Sequence, residues 1–324
     1  MLDADMPPPT PLAEAPDARP FAPAFAPPHG WLVPIGGALF EPEIFTRFLG
    51  LCGGPGARVA VIPVASRLPR TGAEYADAFR RHGAGDAPVL DFRTRVDSER
   101  ADVLDELVRC DGVFFTGGDQ VRLAEVLGGT PASRIIRRRS GEGMPVGGTS
   151  AGASYLSERM IAGGWSGPRP RPGMVMLATG LGLAPALVID QHFRERRRQG
   201  RLLSAIALTP GAVGIGVDEN TAGFLAPDGR MEVVGAGAVT VVRSGPRTRA
   251  HAGVVHARAN GHASSAPPPQ RPPRAERRRA PRPSPALVLD PDTLEVEVVP
   301  AGRTVFVDGA ARPPLYDDCP VARA

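Results

Sequence analysis

"PVGGTSAGASY", residues 145–155, runs a short apolar entry into two glycines, a serine and a stretch of small residues. Gly and Ala suit a strand that turns sharply into a closely packed helix, because such a turn leaves little room for side chains. Gly148-Thr149-Ser150-Ala151-Gly152 also fits G-x-S-x-G, the strained turn that lifts a nucleophilic hydroxyl clear of an α/β sheet. Both readings put a strand before Ser150 and a helix after it. The rest of the chain decides whether the serine does chemistry.

Outward from this turn, "WLVPIGG", "RVAVIPVAS", "DGVFFTGG", "MPVGGTSAG", "ALVIDQHF" and "AVGIGVDEN" read as buried strands ending in turns. Helical spacing occupies Tyr75 to Arg81, Arg100 to Arg109, Val121 to Leu127, Ser133 to Arg139 and Arg197 to Leu208. Alternation of this kind predicts an α/β fold, a mostly parallel sheet with helices on both faces. Polar residues follow the apolar runs at Asp119-Gln120, Ser150, Asp190-Gln191-His192 and Asp218-Glu219-Asn220, where parallel strands gather their sites. Beyond Asn220, "TAGFLAPDGRMEVVG" reads as a β-hairpin turning at Pro227-Asp228-Gly229. Strand patterns then continue through "AVTVVRS" and resume in "ALVLDPDTLEVEVVPAGRTVFVDG".

At 324 residues and 42% hydrophobic content the chain can bury a sizeable core. Residues 1–30 are rich in Pro and Ala and read as a disordered arm; Asp3, Asp5 and the prolines do not make a secretory signal. No apolar stretch reaches the roughly 18 residues of a membrane helix, so a cytoplasmic protein without a membrane partner is expected. Cys52, Cys110 and Cys319 form neither a metal pattern nor a disulfide framework. The net charge of +4 conceals an uneven distribution: residues 244–283 carry +8, all from arginine, and the remainder carries −4. This Arg/Pro-rich segment, taken as 244–285, reads as a solvated insertion within a terminal β region, which residues 286–324 complete. Nucleic acid is not the expected partner. One catalytic domain over 31–243 is expected.

A serine hydroxyl becomes a nucleophile only when a base takes its proton, so Ser150 requires a histidine and a group to orient it. Of six histidines, His29 lies in the Pro-rich arm, His82 at a polar helix end, and His251, His256 and His262 in or beside the insertion. His192 remains, directly after an apolar run, and Glu219 follows at an equivalent strand end. The order Ser150, His192, Glu219 differs from the Ser, acid, His order of α/β-hydrolases. Asp190 and Asp218 flank the candidates and leave the acid open at this point. Backbone N–H groups of Ala151 and Gly118 would meet an oxyanion.

"FFTGGDQ", "GGTSAGAS", "GLGL", "DQHFRERRRQGRL" and "GVDENTA", in this order and spacing, resemble the cyanophycinase family of serine peptidases. The resemblance spans about residues 31 to 243 and is most specific from Asp190 to Leu202. It implies a flavodoxin-like fold, a homodimer, no cofactor and no metal. The implied substrate is cyanophycin, a polyaspartate bearing arginine on each side-chain carboxyl, released as β-Asp-Arg dipeptides. The family's nucleophile, base and acid fall on Ser150, His192 and Glu219. Its substrate contacts fall on Gln120, Asp190, Gln191, Arg196, Arg198, Arg201 and Asn220. Guanidinium forks would bind carboxylates of such a ligand, and Asp190 its guanidinium. A helix from about Glu195 would set Arg194, Arg198 and Arg201 on one face, with Arg196 elsewhere. The arm, the insertion and the Pro- and Arg-rich stretch 163–176 depart from the family pattern. The alternatives are an α-aspartyl dipeptidase and a non-catalytic protein that binds through its basic insertion.

Overall fold

The computed structural model describes residues 30–244 and 294–307. Almost all of the expected arm, the Arg/Pro-rich insertion and most of the C-terminal segment lie outside the described residues. The first half of the chain alternates: β1 (Leu32–Ile35), α1 (Pro42–Leu51), β2 (Val59–Ile62), α2 (Thr71–Arg81), α3 (Ala101–Val108), β3 (Gly112–Phe115), α4 (Gln120–Leu127), α5 (Pro131–Gly141), β4 (Val146–Thr149) and α6 (Ala151–Tyr155). A hairpin of β5 (Arg159–Gly164) and β6 (Val175–Thr179) follows, then β7 (Leu187–Gln191), α7 (Gln199–Leu208) and β8 (Val213–Val217). β9 (Thr221–Leu225), β10 (Arg230–Gly235), β11 (Ala238–Ser244), β12 (Leu294–Pro300) and β13 (Thr304–Phe306) complete the description.

The fold is α/β. Among the described residues the larger sheet runs β13-β10-β9-β1-β4-β3-β2. Its β1-β4-β3-β2 part is parallel, while β9, β10 and β13 join antiparallel. All six apolar runs form strands, and the five helical stretches appear as α2, α3, α4, α5 and α7. Not all of these strands share one sheet. β7 and β8 pair in parallel in a second sheet of order β12-β11-β8-β7. Strand pairing partners are set by tertiary contacts that a one-dimensional pattern does not carry.

β3 shows how the sheet is covered on both faces. Successive strand residues point to opposite sides, so Phe114 and Phe115 enter different layers. Phe114 packs with Phe48 and Phe79 of α1 and α2, at ring separations of 5.8 and 5.0 Å. Phe115 meets Tyr155 of α6 edge-on at 5.5 Å, in the core that also holds Leu123 of α4 and Ile136 of α5. Each fully buried ring stabilises the fold by roughly 1.5–3 kcal/mol. A third cluster, with Leu202, Ala205 and Ile206 of α7 against Val188 and Val242, covers the second sheet.

The arginine run after His192 departs from expectation. It is a turn rather than the start of a helix, and α7 begins only at Gln199. Arg198 N–H closes the turn on Phe193 O at 3.0 Å, and Arg197 sits at φ 51°. A non-glycine residue in the left-handed region interrupts a right-handed helix.

Candidate active site

Ser150 stands between β4 and α6 at φ 53°, ψ −114°. A non-glycine residue there carries strain of order 1–3 kcal/mol, which its surroundings must hold. Ser150 N donates to Ile35 O at 2.9 Å, and Ser150 O accepts from Ala153 N at 3.0 Å and Ser154 N at 3.2 Å, opening α6. Steric limits explain the small residues around it. A Cβ on Gly148 would lie 2.5 Å from the Gly152 carbonyl, and one on Gly152 2.5 Å from Phe115 O. The helix therefore lies directly on the strands that feed it.

His192 follows β7 and Glu219 follows β8, so these two residues come from the second sheet while Ser150 comes from the first. A loop after β1 joins them. Gly36 O accepts from His192 N and Gly37 O from Asn220 N, both at 2.7 Å. Gly37 (φ 108°) lies flat against the imidazole: a Cβ there would fall 2.3 Å from His192 Cε1. The sequence already shows this loop as the paired glycines ending "WLVPIGG", although their contact with His192 cannot be read from it.

The three side chains form one hydrogen-bonded row. Ser150 Oγ is 2.8 Å from His192 Nε2, and His192 Nδ1 is 2.5 Å from Glu219 Oε1. An ionised carboxylate only accepts, so Nδ1 carries the proton, and Nε2 is left to accept from the serine hydroxyl. Burial holds the imidazole below its ordinary pKa; the hydrogen bond to Glu219 pulls it up, and Arg196 and Arg198 press it down. A neutral imidazole beside a hydroxyl is the state in which it can take a proton at neutral pH. Ala151 opens α6, and Gly117 lies close enough that its Cβ would fall 3.2 Å from Ser150 Cβ. Gly118 takes φ 143°, where a Cβ would collide with Ala65 O at 2.0 Å. Ala151 thus follows the serine directly at the start of α6, and Gly118 follows the glycine that packs against it.

Several of the other sequence-predicted site residues already have partners within the chain. Asp190 is fully buried and takes Arg201 in two-point fashion, with Nε at 2.9 Å and Nη2 on the other oxygen. Arg198 Nη1 reaches Gln191 O at 2.5 Å, Gln191 Oε1 at 2.7 Å and Asp190 at 3.4 Å. Desolvation pulls the Arg198 guanidinium down to about 10. These four residues form an internal ion network under the turn. Gln120 Nε2 donates to Ile161 O and Ala162 O of β5 at 3.0 and 2.9 Å. Asn220, at φ 49°, uses its amide oxygen to accept from Phe40 N and Glu41 N at the start of α1. Arg196 is exposed beside His192. Among the described residues no cluster of His, Cys, Asp and Glu is arranged to hold a metal ion, and no helix is long and apolar enough to cross a membrane.

With this geometry in view, the family model of peptidase family S51 matches residues 36–231. The chain belongs to peptidase family S51. As an S51 member it is a serine peptidase. It is 44% identical over 231 residues to the cyanophycinase of Trichormus variabilis, covering 70% of this chain and 77% of that one. The cyanophycinase of Geminocystis herdmanii is 44% identical over 213 residues, covering 64% and 78% of the two chains. The fold is shared with a crystal structure of a peptidase from an acI-B1 Actinobacterium: TM-score 0.53, 22% identity, covering 65% of this S51 chain and 90% of that one.

Proposed function

We propose that the protein hydrolyses cyanophycin or a similar isoaspartyl-arginine polymer, releasing β-Asp-Arg dipeptides through an acyl-enzyme. The hydrogen-bonded row Ser150-His192-Glu219 carries this reading, and the likeness to cyanophycinases supplies the substrate class. Ser150 Oγ attacks the scissile carbonyl while His192 Nε2 takes its proton. Glu219 accepts the Nδ1 hydrogen bond and stabilises the imidazolium. The Ala151 and Gly118 N–H groups receive the oxyanion. His192 then returns the proton to the leaving amine, and water, activated by the same imidazole, releases the acid product and regenerates the hydroxyl.

Within the proposed substrate site Arg196 is placed to bind a ligand carboxylate, being exposed beside the base. Asp190, Gln191, Arg198 and Arg201 support the turn that presents it, and Gln120 and Asn220 brace the neighbouring loops. The catalytic unit is taken as residues 31–243 with 286–324, interrupted by 244–285, acting as a cytoplasmic homodimer. Incubation with purified cyanophycin, read by mass spectrometry for β-Asp-Arg, tests the reading. Release by the parent enzyme and none by Ser150→Ala is expected; an inert polymer beside an intact fold sinks the substrate. Cleavage of short Asp-X peptides without the polymer would favour an α-aspartyl dipeptidase.

A further inference from the structure

The turns that carry His192 and Glu219 come from different strands, and two reciprocal hydrogen bonds lash them together. Arg194 N donates to Asp218 Oδ1 at 3.1 Å, and Glu219 N donates to Glu195 Oε2 at 3.1 Å. Each turn thus offers one backbone donor and one carboxylate to the other. Asp218 is also tied to β11, where Ala238 N donates to its Oδ2 at 3.1 Å. The Arg194 guanidinium spans both carboxylates, 3.2 Å from Glu195 Oε1 and 3.6 Å from Asp218 Oδ2.

This lashing bears directly on the acid. The Glu219 side chain is about a third exposed, at 34%, and among the described residues its carboxylate bonds His192 alone. A carboxylate held at one point can swing unless its main chain is fixed. Glu195 fixes it from the base turn itself. Among the described residues Glu195 makes no hydrogen bond to Ser150 or the imidazole, so it acts through Glu219.

We propose that Glu195 is a positioning residue, clamping the Glu219 main chain to the turn that carries His192 and so setting the reach between acid and imidazole. The proposal rests on the reading of His192 as base and Glu219 as its orienting acid. Without the clamp the Glu219 hydrogen bond lengthens, and the imidazolium formed during catalysis loses support. Substrate contacts are left in place, so the loss falls on kcat rather than KM. The charged groups facing His192 are Glu219, which favours its protonated form, and Arg196 and Arg198, which oppose it. Weakening Glu219 lets the arginines and burial prevail, and the acidic limb of the rate profile moves to lower pH.

Glu195→Ala, Glu195→Gln and Glu195→Asp, each checked for folding by circular dichroism and thermal unfolding, are compared with the parent on cyanophycin. Glu195→Ala is expected to lower kcat about 10- to 100-fold with KM nearly unchanged and the acidic limb displaced downward. Glu195→Gln retains an oxygen that can accept from Glu219 N and is expected to stay within about threefold of the parent. Glu195→Asp keeps the charge but is one methylene short, and follows Glu195→Ala in direction; it decides the matter if Glu195→Ala does not fold. A folded Glu195→Ala or Glu195→Asp with parental kcat and an unmoved limb overturns the proposal. So does an equal fall in all three variants with the limb unmoved. Ser150→Ala run alongside separates the two levels: if it remains as active as the parent, the catalytic reading falls and takes the clamp with it.

Discussion

The two halves of the site are held by different physics. On the larger sheet, Ser150 is fixed by shape: Gly148 and Gly152 let α6 lie on the strands, where a Cβ on either would meet backbone at 2.5 Å. On the second sheet, His192 and Glu219 are fixed by charge and hydrogen bonds, through the Asp190 network below and the Glu195 and Asp218 carboxylates beside them. Close packing tolerates almost no added volume, whereas buried polar networks fail when one partner is left alone. The contrast implies that the Ser150 half breaks when something is added and the His192–Glu219 half when something is removed.

The largest expected effect leaves both halves standing. Ser150→Ala should cut turnover about 10⁴-fold or more, since triad members act as a unit, with thermal unfolding close to that of the parent. Removing a charge from the polar half comes next. Asp190→Ala leaves Arg201, 4% exposed, and Arg198, 8% exposed, without their counter-ion; an uncompensated buried charge costs about 3–5 kcal/mol, measurable by urea unfolding. Adding a single methyl on the shape-limited side, Gly152→Ala, drives a carbon to 2.5 Å from Phe115 O under the turn that carries Ser150. A kcat loss of about 100-fold is expected, with a smaller loss of stability. Equal tolerance of Asp190→Ala and Gly152→Ala would erase the distinction.

The smallest effect concerns pH. A base must be unprotonated to act, so activity falls as pH drops through the pKa of His192. Burial places that pKa below the ordinary imidazole value near 6.5, and the acidic limb of kcat/KM should lie below that pH. A limb above it would show that the Glu219 hydrogen bond outweighs burial and the two arginines.

Much of this was legible because backbone periodicity and steric need leave marks in short stretches. The elbow glycines, six strands and five helices could be read locally, and His192 was isolated because the other histidines sit in unsuitable surroundings. α1 is absent from the five helical stretches read from spacing, although Pro42 at its first turn and the buried Ile44, Phe45, Phe48 and Leu49 carry an amphipathic signal. The β5–β6 hairpin mixes Ile161, Val175 and Thr179 with Ala162, Gly163, Gly164 and Ala178, which are poor strand formers, and its alternation left little trace. The arginine run misled for a different reason. Its spacing suits a helix, but Arg198 and Arg201 turn inward to Asp190 and Gln191, and those partners become visible only in three dimensions. The same holds for Glu195, whose bond to Glu219 N has no local signature.

The register of β11 and β12 has a practical consequence. Ser244 lies opposite Leu294 on neighbouring antiparallel strands, a separation of about 5 Å between backbones. A two- to five-residue reverse turn of the ordinary hairpin kind spans such a gap. Residues 245–293 are thus the natural place to trim the molecule, or to splice in a reporter or affinity module, without touching the register of either strand.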